Sequence, residues 1–253
     1  MKIATWNVNS IRACFEKDGA YRLKELNFDI LCFQETKCHE AQFASSLLEG
    51  YQPFWSNGRR KGYSGVATYA KTSASLSATG IGIRRYDHEG RIVVTDHKDF
   101  LLYNIYFPNG GASQERHQFK QDFLADLNTH LKKVLSSGRQ IILVGDYNVA
   151  PTELDVYDPI ALSTESGFLP AEREWFRSLF QLGFTDTYRM LHPNEKDKYS
   201  WWSYKDNARV KNRGWRIDHI CVSTGLTSRV VAAEVRDDLH GSDHCPVTLE
   251  LKD

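Results

Sequence analysis

Acids, amides and one imidazole recur in this chain where apolar runs end. Asn7 follows the run that stops at Trp6, Glu35 the one that stops at Phe33, and Tyr106 the one that stops at Ile105. The run ending at Val144 gives way to Asp146 and Asn148, Asp218 interrupts another, and Asp243-His244 is expected at the leading edge of a last strand that continues as Val247-Thr248-Leu249-Glu250-Leu251. Any one of these is an ordinary turn former. As a set they fit metal-assisted hydrolysis of a phosphodiester. Glu35 and Asp243, with Asn7 nearby, are the hard oxygen ligands that Mg²⁺ takes alongside waters, whereas no Cys/His cluster suits zinc. Asp146 is expected to orient and deprotonate an attacking water, with Asn148 holding its geometry. Asp218 is expected to fix one tautomer of His244 and raise its pKa, so that an imidazolium meets the anionic phosphate. Metal and imidazolium would together offset charge building on the phosphorus oxygens.

Such residues converge when their strands share a sheet, and rim loops are where rigid scaffolds carry function. Short apolar runs at 3–6, 29–33, 64–69, 90–95, 100–105, 141–144, 217–222 and 247–251 read as strands, several of them apolar on both faces. Phe119, Phe123, Leu127, Leu131 and Val134 form the core stripe of a long helix between Gln114 and Leu135. Pro170, with Glu172 and Glu174 close behind, opens a second helix. Doubly apolar strands mixed with helices predict an α/β protein with helix-covered sheets. No repeat or linker divides the chain, so residues 1–253 are expected to fold as one domain.

Hydrophobic residues make 41% and charged residues 25% of the 253, a globular composition. The 32 basic and 32 acidic residues cancel, so any nucleic-acid footprint must be local. Five cysteines without Cys-x-x-Cys spacing suit buried reduced thiols better than a disulfide framework. Met1 leads straight into a strand-like run and no segment approaches a membrane span, which predicts a soluble cytoplasmic protein. The densest local footprint is Tyr199 to Tyr204, rich in aromatics, followed by Arg209, Lys211, Arg213 and Arg216, which are expected to face DNA.

Trp6-Asn7-Val8-Asn9, Gln34-Glu35-Thr36-Lys37, Tyr106-Phe107-Pro108-Asn109, Gly145-Asp146-Tyr147-Asn148, Arg216-Ile217-Asp218 and Ser242-Asp243-His244-Cys245-Pro246 span nearly the whole chain. In order and separation they resemble the motifs of the exonuclease III family of apurinic/apyrimidinic endonucleases. The resemblance implies a four-layer α/β/β/α sandwich with two packed mixed sheets. It implies Mg²⁺-dependent incision 5′ to abasic sites in duplex DNA, leaving a 3′-hydroxyl, with 3′-end cleaning and 3′→5′ exonuclease activity. Mn²⁺ is the expected substitute ion, and a monomer the expected state. By matching motifs, Tyr106, Asp146, Asn148, Asp218 and His244 would be catalytic, and Asn7, Glu35 and Asp243 would serve the metal. Asn9, Arg12, Lys37, Gly62, Tyr63, Asn109, Trp201, Lys205, Trp215 and Ile217 would contact DNA, with Trp201, Trp215 and Ile217 lining a compact apolar pocket for a flipped abasic nucleotide.

The wider superfamily includes sphingomyelinases, inositol polyphosphate phosphatases and pancreatic-type deoxyribonucleases, so the shared core leaves the substrate open. A non-catalytic nucleic-acid-binding regulator and a head-group phosphoesterase remain alternatives. Tyr106 stands where the pancreatic-type nucleases carry a second histidine. Ala112 and Lys205 replace an arginine and an apolar wedge of vertebrate members, and Leu162 and Glu165 replace two of their asparagines.

Overall fold

The computed structural model describes residues 1–252, the side chains of residues 18 and 19 excepted. Strands β1 (Lys2–Asn7), β2 (Ile30–Gln34), β3 (Gln52–Ser56) and β4 (Val66–Ala70) open the chain, with helices α1 (Ile11–Phe15) and α2 (Asp18–Glu25) after the first. Then come β5 (Ser75–Ala78), α3 (Arg84–Asp87), β6 (Ile92–Asp96), β7 (Phe100–Tyr106), α4 (Gln114–Ser136) and β8 (Gln140–Asp146). The remainder is α5 (Pro170–Gln181), β9 (Phe184–Asp186), α6 (Thr187–Leu191), β10 (Trp201–Trp202), β11 (Gly214–Trp215), β12 (Asp218–Ser223), β13 (Val230–Val235) and β14 (Val247–Leu251).

Two six-stranded sheets result, ordered β13-β14-β1-β2-β4-β3 and β5-β6-β7-β8-β12-β9. Both are mixed: β1 runs parallel to β2 and β7 parallel to β8, and the other pairs are antiparallel. Alternation along each central strand makes the layers. In β8, Ile142 and Val144 face the other sheet, packed with Ile3, Cys32 and Leu102, whereas Ile141 and Leu143 face Phe123, Leu127 and Phe176 of α4 and α5. Likewise Leu31 and Phe33 of β2 turn outward onto Ile11, Cys14 and Leu23 of the first two helices. Four layers follow: helix, sheet, sheet, helix.

Local signals fix the long helices. Ser113 Oγ accepts the Arg116 N–H at the start of α4, and Pro170 occupies the first turn of α5, where its missing N–H costs nothing. The last strand begins at Val247, so Asp243 and His244 lie in the loop before it rather than at its leading edge; His244 makes an isolated bridge to Trp201. All five cysteines are buried and unpaired. Among the described residues, no helix is long and apolar enough to cross a membrane.

Candidate active site

Three adjacent strands set the row on which the rest is built. Register pairs Tyr106 of β7 with Asp146 of β8, and Asp146 with Asp218 of β12, so three strand-end side chains stand side by side. The neighbouring sheet contributes Asn7 from the end of β1 and Glu35 just after β2. Gly145 (φ 142°) makes the close approach possible, because a Cβ there would stand 1.9 Å from the Ile105 carbonyl oxygen. Glu35, Lys37 and Asn148 adopt φ of 51°, 53° and 51°, a left-handed conformation that costs L-residues energy and concentrates at functional sites.

Amides hold the acids apart. Asn7 Nδ2 donates to Glu35 Oε1 at 2.8 Å and to Asp146 Oδ2 at 2.9 Å, while its Oδ1 accepts the Asn9 N–H at 3.0 Å. Asn7 thus bridges the two carboxylates through its Nδ2. Asn9 donates to Asp243 Oδ1 at 3.0 Å and accepts from Lys37, whose ammonium also lies 2.7 Å from Glu35. Asn148 accepts from Asn109 at 3.0 Å, and its own N–H donates to Asp146 Oδ1 at 2.9 Å.

His244 Nδ1 lies 2.8 Å from Asp218 Oδ2, and its Nε2 3.9 Å from Asp146 Oδ2. Ser200 Oγ donates to the same Asp218 oxygen at 2.7 Å and accepts the Asp218 N–H, which fixes that carboxylate. Burial works against the imidazolium, but the Asp218 carboxylate outweighs it and lifts His244 to about 10. Burial lifts Asp146 to about 7; the His244 cation draws it down while Asp218 adds to the rise. Asp146 can therefore shed or accept a proton near neutrality beside an imidazole that stays charged. A raised folded-state pKa stabilises most below the unfolded value near 6.5 and loses its contribution as pH climbs to about 10. The unfolding free-energy advantage of the native protein over His244→Gln should be largest at pH 6, fall as pH rises to about 10 and level off above it. Urea titrations across that range check it, and a constant advantage would remove the ion pair.

Tyr106 is steered by Arg91, which in the sequence alone reads only as part of a strand. Arg91, only 2% exposed, stacks 4.7 Å over the Tyr106 ring, donates to the Tyr106 carbonyl at 3.1 Å and to Tyr63 Oη at 2.8 Å, and pairs with Glu89 at 2.5 Å. Burial and nearby Glu35 hold the Tyr106 phenol far above its ordinary pKa, so it is a proton donor. An arginine opening an apolar run was the available signal.

These groups open on a cavity of about 400 Å³. Its polar wall is Glu35, Tyr106, Asn109, Asp146, Asn148, Asp243 and His244, and its apolar wall is Trp201, Trp215 and Ile217. Phe168, Val156 and Ala150 back the apolar side. Trp201 and Trp215 meet edge to face at 6.3 Å, and the Trp201 indole N–H donates to Asp243 Oδ2 at 3.2 Å, tying the two walls together. Asn9, Arg12, Lys37, Gly62, Tyr63 and Lys205 lie outside the cavity lining. Arg12 and Lys205 are exposed, Gly62 sits in a loop at φ 70°, and Tyr63 is held by Arg91.

The basic run is corrected in two places. Arg216 does not face DNA: it is 1% exposed, bonded to Asp155 at 2.7 Å and Asp186 at 2.8 Å beneath the apolar wall. Arg209 stacks on Trp202 and donates to the carbonyls of Ser242, Asp237 and Leu239, so it shapes the loop that carries Asp243. Lys211 and Arg213 are exposed.

Among the described residues, Asp146, Asp218 and His244 form the one group of acids and imidazole tight enough to hold a cation, their ligand atoms within 4.8 Å of one another. A charged His244, however, has no lone pair to give. Glu35 and Asp243 are the better donors. Burial opposes ionisation of both, yet Lys37 and Asn7 pull Glu35 below the usual carboxylate range, and His244 and Asn9 do the same for Asp243. Two ionised carboxylates on one cavity wall, without a thiolate, fit a hard divalent cation.

An α/β sandwich with acids, amides and an imidazolium at one strand-end rim defines the class as a hydrolytic phosphoester scaffold. The chain belongs to the Endonuclease/Exonuclease/phosphatase family, whose model matches residues 4–244. It is 38% identical over 255 residues to DNA repair nuclease APEX1 of Danio rerio, covering 99% of this chain and 82% of that one. It is 38% identical over 250 residues to an exodeoxyribonuclease of Bacillus subtilis, covering 98% of each. Its structure is similar to that of an AP endonuclease from Archaeoglobus fulgidus, with a TM-score of 0.90, 31% identity and full coverage of both chains.

Proposed function

We propose that this chain, one domain over residues 1–253, is a DNA-repair phosphodiesterase that incises duplex DNA 5′ to an abasic site and leaves a 3′-hydroxyl. The same centre would clean blocked 3′ ends and act as a 3′→5′ exonuclease. The observation that carries this reading is the pairing of walls in one cavity, a proton-transferring face opposite Trp201, Trp215 and Ile217. A sugar without a base fits against such a wall, and turning it out of the helix costs least because no base must unstack.

Glu35 and Asp243 would hold Mg²⁺, or Mn²⁺ in its place, which supplies positive charge to the scissile phosphate. Asp146, aligned by the Asn148 N–H and the Asn7 amide, takes a proton from water as its oxygen attacks phosphorus. Asn148, steered by Asn109, holds that water in line. His244, kept charged by Asp218, and the Tyr106 phenol donate hydrogen bonds to phosphate oxygens as negative charge builds. The P–O3′ bond breaks, and the leaving oxygen takes up a proton to become the 3′-hydroxyl. Asn9, Arg12, Lys37, Gly62, Tyr63 and Lys205 would hold the flanking backbone. Five buried, unpaired thiols support a reducing, cytoplasmic setting, and the chain is proposed to act as a monomer.

A duplex oligonucleotide carrying one tetrahydrofuran abasic analogue tests the reading. The expected product is a single cut 5′ to the analogue, abolished by EDTA and restored by Mg²⁺; an uncut lesion strand with Mg²⁺ present would reject it. Trp215→Ala should lower the preference for abasic over intact duplex by about tenfold or more while changing overall DNA affinity less. Parallel incision and binding assays decide, since an equal fall in both would remove Trp215 from lesion recognition.

A further inference from the structure

Lys120 takes no part in the chemistry described so far, yet it is wholly buried. It projects from α4, and its ammonium ends 2.5 Å from Glu172 Oε1 and donates to the Asn148 carbonyl oxygen at 2.8 Å. Glu172, in the first turn of α5 and equally buried, accepts the Gly167 N–H at 2.6 Å and the Leu169 N–H at 3.2 Å through Oε2. Ser166 Oγ lies 3.4 Å from its other oxygen. The lysine stem passes under the segment after Asn109: a Cβ on Gly110 would stand 3.3 Å from Lys120 Cδ and 2.9 Å from Ser166 Oγ. Asn109 and Gly111, Asn148, and Ser166 and Gly167 all line the cavity, and the three stretches meet on this one ion pair.

Stability alone is a weak reason for it. Desolvating two charges costs several kcal/mol each, and a well-packed apolar pair commonly does as well or better. What an apolar pair lacks is direction. The ammonium fixes the carbonyl of Asn148, and the carboxylate fixes the backbone of Gly167, whose added Cβ would lie 3.2 Å from the Trp215 ring. We propose that Lys120 and Glu172 are a positioning pair that sets the spacing between Asn148 on the hydrolytic wall and Ser166-Gly167 beside Trp215 on the apolar wall. It rests on the proposed function only in taking both walls to be used during turnover.

The test compares wild type with Lys120→Met/Glu172→Gln, which removes both charges together and keeps a carbonyl oxygen for the Gly167 and Leu169 N–H groups. Stability comes from urea unfolding, and kcat and KM from the abasic duplex and from a duplex with a 3′-phosphate. Positioning predicts a tenfold to roughly hundredfold fall in kcat per folded molecule with KM little changed, as expected when a reacting group is misplaced by about 1 Å. An unchanged kcat, whatever happens to stability, would make the pair merely structural and overturn the proposal. Should the double variant not fold, Glu172→Gln alone decides, with a smaller fall in kcat expected and an unchanged kcat overturning it. A wild type that removes 3′-phosphate but leaves the abasic duplex intact rejects abasic incision, and the positioning pair is then judged on the 3′-phosphate rates. A wild type inert on both rejects the two together.

Discussion

Asp146→Asn is expected to lower kcat by about 10²- to 10⁴-fold, the usual worth of a positioned general base. The substitution is nearly isosteric and the Asn148 N–H keeps an acceptor, but an NH2 group replaces the oxygen that accepted from Asn7 Nδ2, so urea unfolding of the variant accompanies the kinetics. The amide cannot take a proton from water, and it removes the anion nearest His244 Nε2. On the proposed reading, affinity for an abasic duplex should stay within a small factor of wild type, because the apolar wall and the residues proposed to hold the flanking backbone are untouched. Single-turnover incision beside equilibrium binding separates the two. Comparable loss in both would mean that Asp146 grips the DNA rather than activating water.

Arg216→Met should destabilise the protein by about 3–5 kcal/mol, the cost of removing one partner from a buried ion network. Asp155 and Asp186, both within 3% of full burial, would lose the guanidinium that the Asp155 and Asp186 carboxylates share at 2.7 and 2.8 Å. Asp186 owes its strongly depressed pKa to that cation, which prevails over burial. The Arg189 guanidinium still reaches Asp155, whereas its bond to Asp186 Oδ1 comes from the uncharged backbone N–H at 3.3 Å, so compensation is partial. Urea unfolding measures the loss. A variant of native stability with weakened, less salt-dependent DNA binding would return Arg216 to the surface role that its neighbours in sequence suggest.

That misreading shows what a single sequence does and does not make legible. Arg209, Lys211, Arg213 and Arg216 form a cluster on paper, yet the chain turns between them, and Arg216 points inward onto Asp155 and Asp186. Ile141 to Val144 was readable as a strand because it is apolar on both faces, and α4 because its stripe recurs turn after turn from Phe119 to Val134. β3 carries Pro53 and sits at a sheet edge, and β13 reads Val-Val-Ala-Ala-Glu-Val with no alternation, so neither announced itself. Glu35, Asp146 and Asp218 were visible because each interrupts or follows a hydrophobic run, and His244 because it stands just ahead of one. Ser200, Arg91 and Lys120 were not, since their partners Asp218, Tyr106 and Asn148 come from other elements. The same holds for Gln34 and Asn104, two buried amides bonded at 2.7 Å between the sheets.

Tyr106, Asp146 and Asp218 hang from neighbouring strands of one hydrogen-bonded ladder, with no hinge between them. Such a template cannot fold itself around what it cuts. On the proposed reading the compliant partner is the nucleic acid, which must bend and extrude its damaged sugar to reach a stationary tool. The energetic toll of finding a lesion then falls on the polymer, and a weakened, unstacked stretch of duplex is recognised because it yields most easily.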